Sequence, residues 1–216
     1  MPALSRKTSF GLIAFGIACT ITGIFFLMLG SAPVLAPPAH PTPPTSSMNP
    51  VEEPVSPDAL ASYDVASDLP RLISIPKLAV SARIVSVGKE RSGSIQAPAS
   101  IYDVGWFRQS AKPGQRGVMF IDGHVSGPTQ PGVFKHLTNL FAGDIIDVER
   151  GDHTHIQYKV ERVESLPVNQ IHMSQLLHDS SGDSSSLILM TCGGRFNKTT
   201  QQYDNRVIVH ASIAEN

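Results

Sequence analysis

The sequence predicts a mainly β domain, a closed barrel or sandwich, held outside the membrane behind one transmembrane helix and a proline-rich stalk. Three observations point there. No Asp, Glu, Lys or Arg occurs between Lys7 and Glu52, and the first half of that stretch is apolar almost throughout. A proline-dense segment follows. Beyond it, short β-branched runs alternate with turn residues, and few segments have a helical pattern.

Taken in order, residues 1–8 form a short tail with Arg6 and Lys7 next to the apolar run. Residues 9–31 contain "SFGLIAFGIACTITGIFFLMLG", about 20 mostly apolar positions, enough for a helix to cross a hydrocarbon core of about 30 Å. The basic residues precede the span and none follows for tens of positions, which sets the N-terminus in the cytoplasm and the rest of the chain outside. A cleaved signal peptide is the competing reading, because "VLA" at Val34–Ala36 has small residues suited to a cleavage site. Against it, the run is longer than an h-region of about 7–15 residues, and Pro37 would follow the cut. Both readings export the remainder.

Residues 32–67 read as a proline-rich extracytoplasmic linker, semi-rigid and without hydrophobic period. The folded domain is assigned to 68–216. Its strands read from "RLISIP", "VSARIVSVG", "GVMFI", "DIIDVER", "THIQYKVERV", "SLILMTC" and "RVIVHASI". In "HIQYKV" the alternation sets Ile156, Tyr158 and Val160 on one face, whereas "LILM" is apolar on both faces and reads as a central strand. "GVFKHLTNL" and "NQIHMSQLLHD" read as short helices.

The formal net charge is −1 and no block of like charge occurs, so electrostatic attraction to nucleic acid is not supported. There are two cysteines. Cys19 falls in the span and reads as a small apolar residue, since "GIAC" lacks the leucine of a lipoprotein signal. That leaves Cys192 as a single exported thiol: an intermolecular bridge, an inert buried residue or a reactive group.

Cys192 closes an apolar run in "LILMTCGGRFN" and enters a pair of glycines. A thiol attacks only as thiolate, which needs a proton acceptor or a cation nearby. "GVMFIDGHVSG" repeats the layout and sets His124 just past a strand end. The other histidines have plainer readings: His153 and His155 flank a turn, His136 sits in an amphipathic segment, His172 and His178 lie on a surface helix, and His210 lies within a strand. No HxxxH or CxxC spacing suggests a metal. Arg206 opens "RVIVHASI", and a strand, glycine-containing loop and return strand would bring it beside Cys192 as an antiparallel neighbour. A fixed cation there can stabilise an oxyanion or hold a carbonyl.

Together, "LILMTCGGRFN", "GHV" followed by "GPTQPGVFKHL", and "YDNRVIVHA" resemble the sortases, membrane-anchored cysteine transpeptidases of Gram-positive bacteria, and most of all class F of the actinobacteria. The resemblance runs over about residues 70–214, takes in "VGWF" at Val104–Phe107, and extends to the order of tail, span, stalk and β domain. It implies an eight-stranded β-barrel with short helices and a surface groove suited to an extended peptide. It also implies roles: Cys192 as nucleophile, His124 as general acid and base, and Arg206 for substrate or oxyanion, with Thr191, Gly193 and Gly194 contacting substrate. Arg195 in "GGRF" is the alternative arginine. If the Asp122 carboxylate reached His124, it would favour the imidazolium.

The implied reaction cleaves an LPxTG-like sorting signal of an exported protein and passes the thioacyl group to an amine of lipid II or a pilin lysine. No cofactor is called for. Some sortases use calcium, but no acidic cluster here demands it. Two other exported Cys/His classes fit less well: an L,D-transpeptidase has "SxGC" where this chain has "LMTC", and papain-like or NlpC-type peptidases place cysteine before histidine. A non-enzymatic β-barrel adhesion or scaffold module with a structural cysteine would leave the spacing of Cys192, His124 and Arg206 unexplained.

Overall fold

Eight strands close on themselves in the order β1-β2-β3-β4-β7-β8-β6-β5 in the computed structural model, which describes residues 50–178 and 184–214. They are β1 (Pro70–Ile75), β2 (Val80–Val87), β3 (Val104–Phe107), β4 (Gly117–Gly123), β5 (Ile145–Arg150), β6 (His155–Pro167), β7 (Ser185–Asn197) and β8 (Gln202–Ile213). Two short helices accompany them, α1 (Pro57–Ala61) and α2 (Met173–His178). The predicted tail and span, 1–31, lie outside the described residues. Among the described residues no helix is long and apolar enough to cross a membrane.

Strand alternation sorts the side chains into two apolar clusters. Met119 and Ile121 of β4, Leu187 and Leu189 of β7, and Val207 and Val209 of β8 point into the barrel with Tyr158, Val160 and Trp106. The intervening residues Val118, Phe120, Ile188 and Ile208 face outward and are covered by Phe107 and by Leu176 of α2. β7 is therefore apolar on both sides because it is buried on both, between β4 and β8. Each fully buried large apolar side chain contributes roughly 1.5–3 kcal/mol.

Three sequence readings are corrected. β3 (Val104–Phe107) is not among the strands read from sequence; it joins β2 in parallel, as β4 joins β7, while the other six joins are antiparallel. Both parallel joins link strands separated by long connections, so no hairpin signal marks them. The segment "GVFKHLTNL" is helical only as a 3-10 turn at Leu137–Asn139. Its buried residues Phe134, Leu137 and Leu140 recur every three positions, the 3-10 period. Finally, the described part of the predicted linker is packed structure. Val51 bridges Ser100, α1 is capped by Ser56, and the Tyr63 hydroxyl donates to Ile84 O (2.9 Å). Arg71, only 5% exposed, binds Glu149 on one side and the carbonyls of Leu60, Ala61 and Tyr63 on the other.

Candidate active site

β7 lies between β4 and β8, so the residue just past the end of its pairing with β4 can meet side chains from both neighbours. That residue is Cys192. On one side, the antiparallel β7–β8 register sets Cys192 directly opposite Arg206, where cross-strand Cβ atoms are about 4.5–5.5 Å apart. Arg195 is exposed, and it lies within the irregularity between Gly193 and Phe196 rather than in the regular register. Its backbone N–H donates to Asp204 Oδ1 (2.7 Å). On the other side, β4 and β7 are paired in parallel as far as Asp122 opposite Met190. Two further residues along each strand lead to His124 and Cys192.

The next bond up the sequence locks that alignment. Thr191 turns inward, 4% exposed, and its hydroxyl donates to Gly123 O (2.7 Å). The immediate neighbours of Cys192 and His124 are thus tied together. The Thr191 hydroxyl is spent on this bond rather than on the outer face, although Thr191 also borders the cavity described below.

His124 leaves β4 into a tight loop that is held from several directions. Its carbonyl accepts from Phe134 N (2.9 Å), and Gly132 packs so closely against it that any side chain at 132 would collide with the His124 backbone. Ser126 Oγ is 2.8 Å from the Tyr203 hydroxyl, and the Tyr203 ring stacks on Phe196 with centroids 5.0 Å apart. Glu52 accepts from Thr129 N, Thr129 Oγ1 and Gln130 N, bonds that hold its carboxyl below the usual range. The imidazole itself is oriented by Pro98 O, 2.8 Å from Nε2. A carbonyl only accepts, so Nε2 carries a proton and Nδ1 is the atom left for proton transfer.

Burial pushes the Cys192 thiol above its ordinary range, the Arg206 guanidinium opposes that shift, and Asp122 adds to it. Arg206 has no carboxylate partner among the described residues. Nη1 instead donates to Asn205 O (2.9 Å) and Tyr203 O (3.4 Å), which fixes the guanidinium at the start of β8. Asp122 does not hydrogen-bond the imidazole. Its Oδ1 is buried without a partner, and burial lifts the carboxyl to about 8. It therefore bears on the thiol rather than on the imidazolium.

Cys192, Gly193 and Gly194 border a cavity of about 210 Å³, closed by Val125, Phe134, Ser165 and Tyr203. A larger, open depression of about 350 Å³ lies between Phe141 and Glu161–Ser165, with no thiol or imidazole in its wall. Of the residues expected from sequence, the fold brings Cys192, Arg206 and the His124 loop together where β4 leaves β7, and it leaves Arg195 outside. His210 is a strand residue bound to Glu164 (2.7 Å), and His153 and His155 bind Glu149 and Asp147. Reading the sequence did not find the Pro98 contact, the Ser126–Tyr203 bridge or the Glu52 clasp. All three join residues at least 26 positions apart, beyond the reach of any local pattern.

Comparison with known proteins agrees with the fold. The sortase domain family model matches residues 73–214. Among solved structures, a sortase D5 transpeptidase of Clostridium perfringens is similar at 22% identity and TM-score 0.51, covering 73% of this chain and 86% of that one. Sortase A of Corynebacterium diphtheriae, a lid mutant, is similar at 19% identity and TM-score 0.53, covering 74% and 77%. The pilus-related sortase C of Group B Streptococcus is similar at 18% identity and TM-score 0.52, covering 76% and 75%. At these identities the structural likeness is one of fold. No curated protein matches the chain.

Proposed function

The chain belongs to the sortase family, and from that premise we propose that it is a membrane-anchored transpeptidase of class F type with Cys192 as nucleophile, His124 as general acid and base, and Arg206 as oxyanion or substrate cation. The observation that carries this reading is the alignment where β4 leaves β7: Arg206 directly opposite Cys192, and Thr191 bonded to Gly123 beside His124.

The chemistry follows from the charges. The thiol is held protonated by burial, so attack requires its proton to pass to His124 Nδ1 as the S–C bond forms. Negative charge then develops on the carbonyl oxygen, and Arg206, fixed by two backbone carbonyls, meets it without reorganising. The imidazolium protonates the leaving amine, and a thioacyl enzyme remains. An incoming amine reverses the sequence. Gly193 and Gly194 let β7 pack closely on β8, since a side chain at either would collide with Val207 or Asp204, and both border the cavity in which an extended substrate would lie.

On this reading the donor is an exported protein with an LPxTG-like sorting signal, and the acceptor is an amine of lipid II or a pilin lysine. The N-terminal span 9–31 anchors the enzyme with its catalytic domain outside the membrane. The test is intact mass of the full chain in detergent, incubated with an LPxTG peptide and then an amine, beside Cys192→Ala and His124→Ala. A peptide adduct absent from Cys192→Ala and released as an amine conjugate supports the proposal. A folded protein that forms no adduct, with Cys192 inert to alkylation, returns the cysteine to a structural role.

A further inference from the structure

The acyl transfer above uses three side chains and leaves a fourth on the same face unused. Asp122 precedes His124 by two residues, so alternation along β4 turns it outward with Phe120. The β4–β7 register sets it opposite Met190, two residues before Cys192, one diagonal step from the nucleophile. Its carboxyl fits because the paired residue on β3 is Gly105: a Cβ there would lie 2.5 Å from Asp122 Oδ1 and 3.0 Å from Val87 Cγ1.

Nothing in the fold calls for an acid at this place. Oδ1 is buried with no hydrogen-bond partner, an arrangement that costs stability. The paired β3 residue, Gly105, and Val87 of β2 bring no charge to it. The titratable groups that share its face are His124, Cys192 and Arg206, and Arg206 lies across β7 with its Nη1 bound to backbone carbonyls. Burial accordingly keeps the carboxyl protonated up to about 8. No cation among the described residues offsets that burial at Asp122.

We propose that Asp122 receives the acyl acceptor: its carboxylate pairs with the incoming ammonium and takes the proton that must leave before the nitrogen can attack. This rests on the transpeptidase reading. Cys192 divides the site into an oxyanion side on β8, with Arg206, and an amine side on β4, with His124, and Asp122 is on the amine side. A carboxyl with one oxygen buried and unpartnered is also the chemical complement of an ammonium that must be stripped of water.

The protons balance. When R–NH3+ binds, Asp122 releases its own proton to solvent and forms the ion pair. It then takes one proton from nitrogen, leaving R–NH2. The nitrogen lone pair forms the C–N bond to the thioester carbon, a second N–H proton passes to His124, and the C–S bond breaks with its electron pair on sulfur. The imidazolium returns that proton to give the thiol. One ammonium and one thioester become one amide, one thiol and one proton in solvent, and Asp122 is again the neutral acid.

The test loads the full chain, in detergent, with an LPxTG peptide and offers an acceptor that carries an ammonium, glycinamide or Nα-acetyl-lysine amide, or hydroxylamine, which is uncharged at neutral pH. Mass spectrometry reads the ratio of conjugate to hydrolysed acid. We expect Asp122→Asn to lower that ratio for the cationic acceptors by about tenfold or more, while the hydroxylamine ratio stays within about twofold. Asn is isosteric, and circular dichroism verifies folding. Gly105→Ala, which displaces the carboxyl while keeping it, should give the same selective loss. Equal losses for both acceptor types, an unchanged ratio, or a change confined to the KM of the donor peptide would overturn the role. Absence of any thioester in the wild type would instead overturn the transpeptidase reading, and this proposal with it.

Discussion

Cys192 sits where ionisation is disfavoured. Burial raises the thiol above its ordinary value and Arg206 recovers only part of that shift. Alkylation of the folded protein should therefore be slow at neutral pH and accelerate only above the usual thiol value of about 8.5. Arg206→Gln should move that profile to still higher pH and lower kcat by about 10²–10³-fold, the loss typical of one oxyanion donor. A profile that does not move would detach Arg206 from the thiol. Asp122 yields a second pH-dependent expectation. In the folded state it keeps its proton to about 8, whereas an unfolded Asp loses it near 3.9. Between those values the folded state binds the extra proton, so stability falls as pH rises from about 4 to about 8 and then levels. Asp122→Asn should remove that part of the slope, seen as a smaller difference in Tm between pH 5 and pH 8.

At the scale of elements, β7 aligns the chemistry through one inward hydroxyl. Thr191→Val keeps the shape and leaves Gly123 O without its donor, for a loss of about 1–3 kcal/mol in urea unfolding. Transpeptidation should fall with it, because the alignment of Cys192 with His124 is loosened. A variant as stable and active as the wild type would show that the parallel β4–β7 ladder suffices. The strand itself was legible, since "LILM" is apolar on both faces and the structure buries it on both. The Cys192–Arg206 pairing was also legible, because a hairpin register depends on residues close in sequence. The parallel joins were not, because their partners meet only when the barrel closes. Thr191 illustrates the limit: strand alternation assigns it to the face opposite Cys192, but its acceptor on β4 is 68 residues away.

For the whole molecule, the described N-terminal segment is part of the domain. Removing residues up to Asp68 takes three carbonyl acceptors from the buried Arg71 and removes the Glu52 clasp on the loop after His124. A chain beginning at Pro50 should melt several degrees higher than one beginning at Asp68, in differential scanning calorimetry. Equal melting would return 50–67 to the role of a spacer. The sequence by itself determined the β class, seven of the eight strands, the burial of β7 and the placing of Arg206 opposite Cys192, because alternation, turn residues and hairpin pairing are local properties of the chain. Barrel closure decided the rest. Only the tertiary structure could bring Pro98 to His124, Tyr203 to Ser126 and Gly105 to Asp122. It alone could show that one oxygen of the carboxyl near the thiol is buried without a partner, since burial and hydrogen-bond satisfaction depend on which distant strands come to lie side by side.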